Sequence, residues 1–195
     1  MWDERYSVDE YVYGTEPNGF LASMTARLKK GRVLCLAEGE GRNAVHLAKE
    51  GFTVTAVDSS RIGLAKAQRL AQHRGVAIET VTADLADFVI AEDSWDSVVS
   101  ISCHLPPALR RRVHSGVVSG LKRGGTFLLE AYTPKQLELG TGGPKSADLM
   151  MDLATLREEL SGLRIVHGKE LIRDVVEGIH HTGPAAVVQV LAEKV

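Results

Sequence analysis

Three features of this sequence have the residue types and spacing to do chemistry together. The first is Glu38-Gly39-Glu40-Gly41-Arg42-Asn43. It breaks the apolar run Val33 to Leu36 and precedes Ala44, Leu47 and Ala48, spaced as one face of a helix. Gly39 and Gly41 tolerate φ > 0 and carry no Cβ, so a tight turn can form and a ligand can lie against bare backbone. The helix that follows directs its free N–H groups and positive dipole end at the same spot. The second feature is Asp58, which ends the run Phe52 to Val57. It lies roughly twenty residues beyond the turn, where a carboxylate can accept from both hydroxyls of a ribose. The third is Asp84, at the carboxyl end of the run Val76 to Thr82, within reach of whatever Asp58 holds. It has a plainer alternative use, capping the short segment Leu85 to Val89. Together the three suit an adenosine-containing cofactor.

These residues need a scaffold that brings strand ends together. Val33 to Leu36, Phe52 to Asp58, Val76 to Thr82, Trp95 to Ser102 and Thr126 to Ala131 read as five strands. The first four are followed by helical or helix-starting segments. After Asp58, Ser59 or Ser60 can cap a helix with Leu64, Ala67, Leu70 and Ala71 on one side, and Pro106-Pro107 starts another that runs to about Ser119. Strands alternating with helices predict a doubly wound α/β sheet with helices on both faces. Leu163 to Val176 and Ala185 to Ala192 follow without a helix between them and predict a terminal antiparallel hairpin. Phe20, Leu21, Met24 and Leu28 form a helical face ahead of the first strand, and Leu153, Leu156 and Leu160 form another.

Residues 1–20 hold one of two tryptophans and three of four tyrosines without a regular period. This aromatic arm is either a flap over the sheet or a lid on the ligand. Residues 132–151 form a long irregular stretch, read as a substrate-side loop and containing Gly140-Thr141-Gly142-Gly143-Pro144-Lys145, that either helps form an acceptor pocket or is plain surface.

At 195 residues the chain fits one domain, 1–195, with a core of its own. A formal net charge of −2 argues against nucleic acid as the main partner. Arg110-Arg111-Arg112 reads as a solvated helix face. Cys35 and Cys103 read as buried apolar residues in a reducing cytoplasm. No run reaches the roughly 18 apolar residues of a membrane span. No metal-ligand cluster and no Gly-x-Ser-x-Gly elbow appears.

The turn, Asp58, Asp84, the Gly124-Gly125 turn before the fifth strand and the terminal hairpin together resemble the class I S-adenosylmethionine-dependent methyltransferases. Within them the chain looks most like the bacterial branch near the tellurite-resistance and thiopurine S-methyltransferases. The resemblance implies a Rossmann-like, seven-stranded, mostly parallel sheet of order 3-2-1-4-5-7-6. It implies S-adenosylmethionine as cofactor: the Ala37, Glu38, Gly39 to Gly41 loop on its methionine part, Asp58 with Ser59 at the ribose, Asp84 and the Leu85 backbone at the adenine, and Ile101 and Ser102 toward the sulfonium. The family turn usually reads acid-x-Gly-x-Gly-x-Gly. Here Cys35 and Ala37 hold the first two marked positions, so Glu38 is expected to supply the carboxylate beside the methionine ammonium.

A small-molecule acceptor is implied, possible atoms being sulfur, selenium, tellurium, oxygen or nitrogen. A thiolate needs no general base. For a neutral hydroxyl or amine, His104, His180 and His181 are the candidate bases, each with a plain structural or solvent-exposed alternative. Two other functions share the turn and first acid: a nicotinamide-dependent reductase, and a sensor that binds the cofactor without turnover. Oligomeric state is not legible at this level.

Overall fold

Side chains of successive strand residues point to opposite faces, so runs such as Val33-Leu34-Cys35-Leu36 need a layer of helices on each side. The computed structural model describes residues 2–178 and 181–195, the side chain of His181 excepted, and has that arrangement. Its elements are α1 (Trp2–Tyr6), α2 (Gly19–Met24), β1 (Arg32–Leu36), α3 (Arg42–Lys49), β2 (Thr53–Asp58), α4 (Arg61–His73), β3 (Glu79–Thr82), β4 (Trp95–Ile101), α5 (Pro107–Gly120), β5 (Leu121–Tyr132), α6 (Gln136–Leu139), α7 (Leu153–Glu159), β6 (Arg164–Glu177) and β7 (His181–Glu193). The strands form one seven-stranded sheet of order β3-β2-β1-β4-β5-β7-β6, the order expected. β1 to β5 pair in parallel, and β7 runs antiparallel to both β5 and β6.

Val33, Cys35, Val54, Ala56 and Val99 face α2, α3 and α4 through Phe20, Leu21, Leu47, Leu64 and Leu70. Leu34, Leu36, Val57, Val98 and Phe127 face α5 and α7 through Val113, Val117, Leu156 and Leu160. A third, smaller cluster of Tyr132, Met150, Val175, Ala185 and Val187 sits where β5 meets the hairpin.

Several boundaries differ from the expected ones. β3 starts at Glu79, because its partner β2 first reaches it at Thr55. The Phe20 to Leu28 face is split between α2 and a 3-10 turn over Thr25–Arg27. The arm contains α1, and the 132–151 stretch contains α6 and a 3-10 turn over Ala147–Leu149. Between the two candidate serines, Ser60 is the cap of α4, its hydroxyl accepting from the Gly63 amide at 3.0 Å.

The arginine triplet corrects the expectation of a uniformly solvated face. Arg111 and Arg112 are exposed, but Arg110 is buried. Its Nε and Nη2 donate to Glu159 at 3.0–3.1 Å and its Nη1 donates to the Met150 carbonyl at 3.2 Å. His114 Nδ1 also meets Glu159, at 2.6 Å. Burial raises the Glu159 pKa, but His114 and Arg110 outweigh it and hold the carboxylate below its ordinary value. This group joins α5, α7 and the turn ahead of α7.

Among the described residues no helix is long and apolar enough to cross a membrane, and no cluster of His, Cys, Asp and Glu has the form of a metal site.

Candidate functional site

The strand registers bring the candidate residues to one edge of the sheet. Leu36 pairs with Val57 and with Ser100, so the residues that follow, Ala37, Asp58 and Ile101, lie side by side. Asp58 pairs with Thr82 on one side, and Ile101 pairs with Glu130, itself paired with Gln189, on the other. The carboxyl ends of five strands thus form a continuous rim, the usual place for a ligand in an open parallel sheet.

At the centre of this rim the chain makes a tight turn into α3, with Gly39 at φ 63° and Gly41 at φ 89°. Ala37 lies in the same left-handed region at φ 50°, in the position where the family turn carries glycine. Glu38 Oε1 accepts from the Asn43 and Ala44 amides at 3.0 and 2.8 Å, satisfying two N–H groups at the start of α3. Burial outweighs these bonds and pushes its carboxyl up to about 7. Asp58 accepts from the Gly39 amide on Oδ2 at 2.8 Å and from the Ser60 amide on Oδ1 at 2.7 Å. Burial also raises its pKa, against the pull of those two bonds. Ser59 beside it is exposed.

One expectation about the turn needs correcting. A Cβ on Gly39 would lie 2.6 Å from the Tyr6 hydroxyl oxygen, and one on Gly41 would lie 2.5 Å from the Ala67 Cβ. The Cβ side of both glycines is therefore filled by the protein's own arm and by α4, so a ligand can approach the turn only from another side.

On one flank, Asp84 is exposed while Leu85 is buried. Asp84 Oδ1 accepts from the Ala86 amide at 2.8 Å, and its carbonyl accepts from Asp87 and Phe88, so it does cap the turn that follows. On the other flank, Ser102 sits at φ 55° and donates its amide to the Glu130 carbonyl at 2.8 Å. A small cavity opens beside it, lined by Ser102, Glu130, Tyr132, Arg173, Glu177 and Val187. His104 stacks on the Tyr132 ring at 5.5 Å, and its Nε2 accepts from the Tyr132 amide at 3.0 Å, which puts the proton of the neutral ring on Nδ1. His180 and the His181 side chain lie outside the described residues. The Gly140 to Lys145 loop closes over the same corner, where a Cβ on Gly143 would lie 2.7 Å from the Tyr132 ring.

The cavity walls hold ionised groups that the motif reading missed. Glu130 accepts from Arg173 Nη2 at 2.5 Å, Arg173 Nε at 3.1 Å and Gln189 Nε2 at 2.6 Å. Glu177 accepts from Arg42 at 2.5 Å and from Arg173 at 3.0 Å. Arg42 holds the Glu177 pKa below its ordinary value although burial pushes it up. The Asn18 side chain donates to both carboxylates, at 2.7 and 2.9 Å, and so ties the arm to the cavity. The sequence signal was a glutamate inside the apolar run Phe127-Leu128-Leu129-Glu130-Ala131. Cys35 and Cys103 are both buried; burial pushes the Cys35 thiol up and the Cys103 thiol up to about 12, so neither is a thiolate at neutral pH.

Residues 33–125 match a methyltransferase domain family. A protein of Geobacillus sp. (strain WCH70) named as a methyltransferase is 32% identical over 111 residues, 55% of this chain and 44% of its own length. The chain thus spans less than half of that relative. Among solved structures, TehB from Haemophilus influenzae superposes with a TM-score of 0.75 at 17% identity, over 100% of this chain and 66% of that one. A S-adenosylmethionine-dependent methyltransferase from Clostridium acetobutylicum ATCC 824 gives a TM-score of 0.69 at 13% identity, over 98% and 95%. At these identities the structures establish a shared fold. The family match lies on the segment that carries the turn, Asp58, Asp84 and Ser102.

Proposed function

We propose that the protein transfers the methyl group of S-adenosylmethionine to a small molecule, with a thiol or another chalcogen (selenium or tellurium) as acceptor, as in the tellurite-resistance and thiopurine branch. The observation that carries this reading is the rim itself. Ala37, Asp58 and Ile101 stand side by side, with an acid beyond β3 on one flank and a cavity at Ser102 on the other.

The residues present fit the cofactor. Each Asp58 oxygen gives one lone pair to a backbone amide, leaving another for a ribose hydroxyl. Glu38 uses Oε1 for the helix and has Oε2 left for an ammonium. Asp84 would accept from the adenine amino group, the Leu85 backbone would meet the ring edge, the Ala37 to Gly41 loop would hold the methionine part, and Ile101 and Ser102 would face the sulfonium end.

When bound, S-adenosylmethionine supplies a methyl group already activated by its sulfonium charge. The remaining work is alignment and exclusion of water. Glu130 and Glu177, each paired with an arginine, and Tyr132 form the wall that an acceptor entering beside Ser102 would meet. For a neutral acceptor the candidate bases are His104, whose Nε2 lone pair becomes available only when its bond from the Tyr132 amide opens, and His180 and His181.

Incubation with methyl-labelled cofactor and a panel of thiols, selenite, tellurite and small phenols tests the reading, with S-adenosylhomocysteine release as the readout. Transfer to a thiol or chalcogen supports it. Binding without transfer to any acceptor would replace it with the sensor reading, and binding of a nicotinamide cofactor in its place with the reductase reading.

A further inference from the structure

The most heavily buried charged group outside the rim is Lys66, in the middle of α4 and only 1% exposed. Its Nζ lies 2.5 Å from Glu40 Oε1, and Glu40 stands between the two glycines of the turn. The same ammonium donates to the carbonyls of Val8 at 2.9 Å and Glu10 at 2.6 Å, and reaches that of Tyr6 at 3.4 Å. The other Glu40 oxygen accepts from the Tyr13 amide at 3.3 Å, and the Tyr11 hydroxyl donates back to the Lys66 carbonyl at 3.1 Å. Around this centre, Tyr6 fills the space beside Gly39 and Gly63. Asp3 accepts from the Ser60 hydroxyl at 2.5 Å and from the Ile62 amide at 3.3 Å, at the start of α4.

We propose that Lys66 is a positioning residue for the glycine turn, and that it holds the N-terminal arm against the turn as a fixed buttress rather than a lid that opens at each turnover. The cofactor half of this statement rests on the methyltransferase reading. A buried ammonium is stable only if its lost hydration is replaced. Here the replacement comes from one turn carboxylate and from arm carbonyls, which surround Nζ only while the arm is docked. Lifting the arm would strip the ammonium of those carbonyls and take the Tyr13 amide from Glu40. It would also withdraw Tyr6 from beside Gly39. Arm docking and turn geometry are therefore one equilibrium, and Lys66 contributes to both sides of it.

The test uses the full chain as wild type, Lys66→Met and Lys66→Met/Glu40→Gln. The double variant removes both charges, so that no unpaired buried carboxylate confounds folding. Limited proteolysis and hydrogen exchange over residues 7–16, with the fluorescence of Trp2, stacked on Tyr6 at 5.7 Å, report the arm. Calorimetry with S-adenosylhomocysteine reports the turn. In the wild type, arm protection is expected to be the same with and without S-adenosylhomocysteine. In both variants arm cleavage should rise, and affinity should fall, by about tenfold or more. Two outcomes would overturn the proposal: wild-type arm protection that rises severalfold on ligand binding, which is lid behaviour, or a double variant with a released arm and wild-type affinity. Failure of the methyltransferase reading looks different, as a wild type that does not bind S-adenosylhomocysteine. In that case arm cleavage alone decides whether Lys66 is the clamp.

Discussion

The Gly39 amide donates to Asp58 Oδ2 at 2.8 Å, which makes the carboxylate ending β2 a strut of the glycine turn as well as its charged neighbour. Asp58→Ala removes the acceptor of two buried amides along with the proposed ribose contact. It is expected to cost about 1–3 kcal/mol of stability and to weaken S-adenosylhomocysteine binding by about a hundredfold. Asp58→Asn keeps one acceptor and should lose about tenfold. Denaturant unfolding and calorimetry on the same samples separate the two effects.

Glu38 should make ligand binding depend on pH near neutrality. Its pKa is raised from 4.5 to about 7 in the folded protein, so between those values the folded state binds more protons than the unfolded one. The contribution of this group to stability is then full below the unfolded value and falls as pH rises toward 7. A ligand ammonium favours the ionised carboxylate and works in the opposite direction. The rise in melting temperature produced by S-adenosylhomocysteine is expected to be larger at pH 8 than at pH 6, and Glu38→Gln should flatten that difference. Thermal unfolding across the pH range measures both.

Ala37 and Ser102 both occupy the left-handed region, at φ 50° and 55°. A non-glycine residue there costs about 1–2 kcal/mol, partly offset by the greater freedom of glycine in the unfolded chain. Ala37→Gly and Ser102→Gly should each stabilise by about 0.5–1 kcal/mol in denaturant unfolding. Activity should distinguish them, with Ala37→Gly close to wild type and Ser102→Gly impaired, because Ser102 lines the cavity.

Arg110 offers a contrast within three adjacent arginines. Arg110→Ala leaves the buried Glu159 without its guanidinium and should destabilise by about 3–5 kcal/mol. Arg111→Ala, on the exposed face, should stay within about 0.5 kcal/mol of wild type. Urea midpoints for the two variants provide the comparison.

Much of the rim was legible because it is made of strand ends. A parallel strand buried on both faces reads as an apolar run, and the first polar residue after it marks the carboxyl edge; Asp58 was found in this way, whereas Ser102 came from the family resemblance. The closing hairpin was legible as two β-rich segments without a helix between them. Residues whose meaning depends on distant partners were not. Lys66 sits between Ala65 and Ala67 and reads as an ordinary helix lysine, since nothing in its neighbourhood announces Glu40 or the arm carbonyls. Arg110 is solvated by its own helix pattern and buried only because Glu159 of α7 comes to meet it. Glu177 lies in a strand whose outward-facing residues include Ile172 and Val176, so local alternation did not mark it as a cavity wall.

The contact between Gly41 and Ala67, where an added Cβ would come within 2.5 Å, limits how this sequence can drift. Neither site can gain bulk alone, since a larger residue at either would wedge α4 off the turn and drag the neighbouring Lys66 with it. The two positions are therefore heritable as a pair, one glycine and one small partner, and divergence among descendants of this chain has to be accommodated elsewhere on the helix.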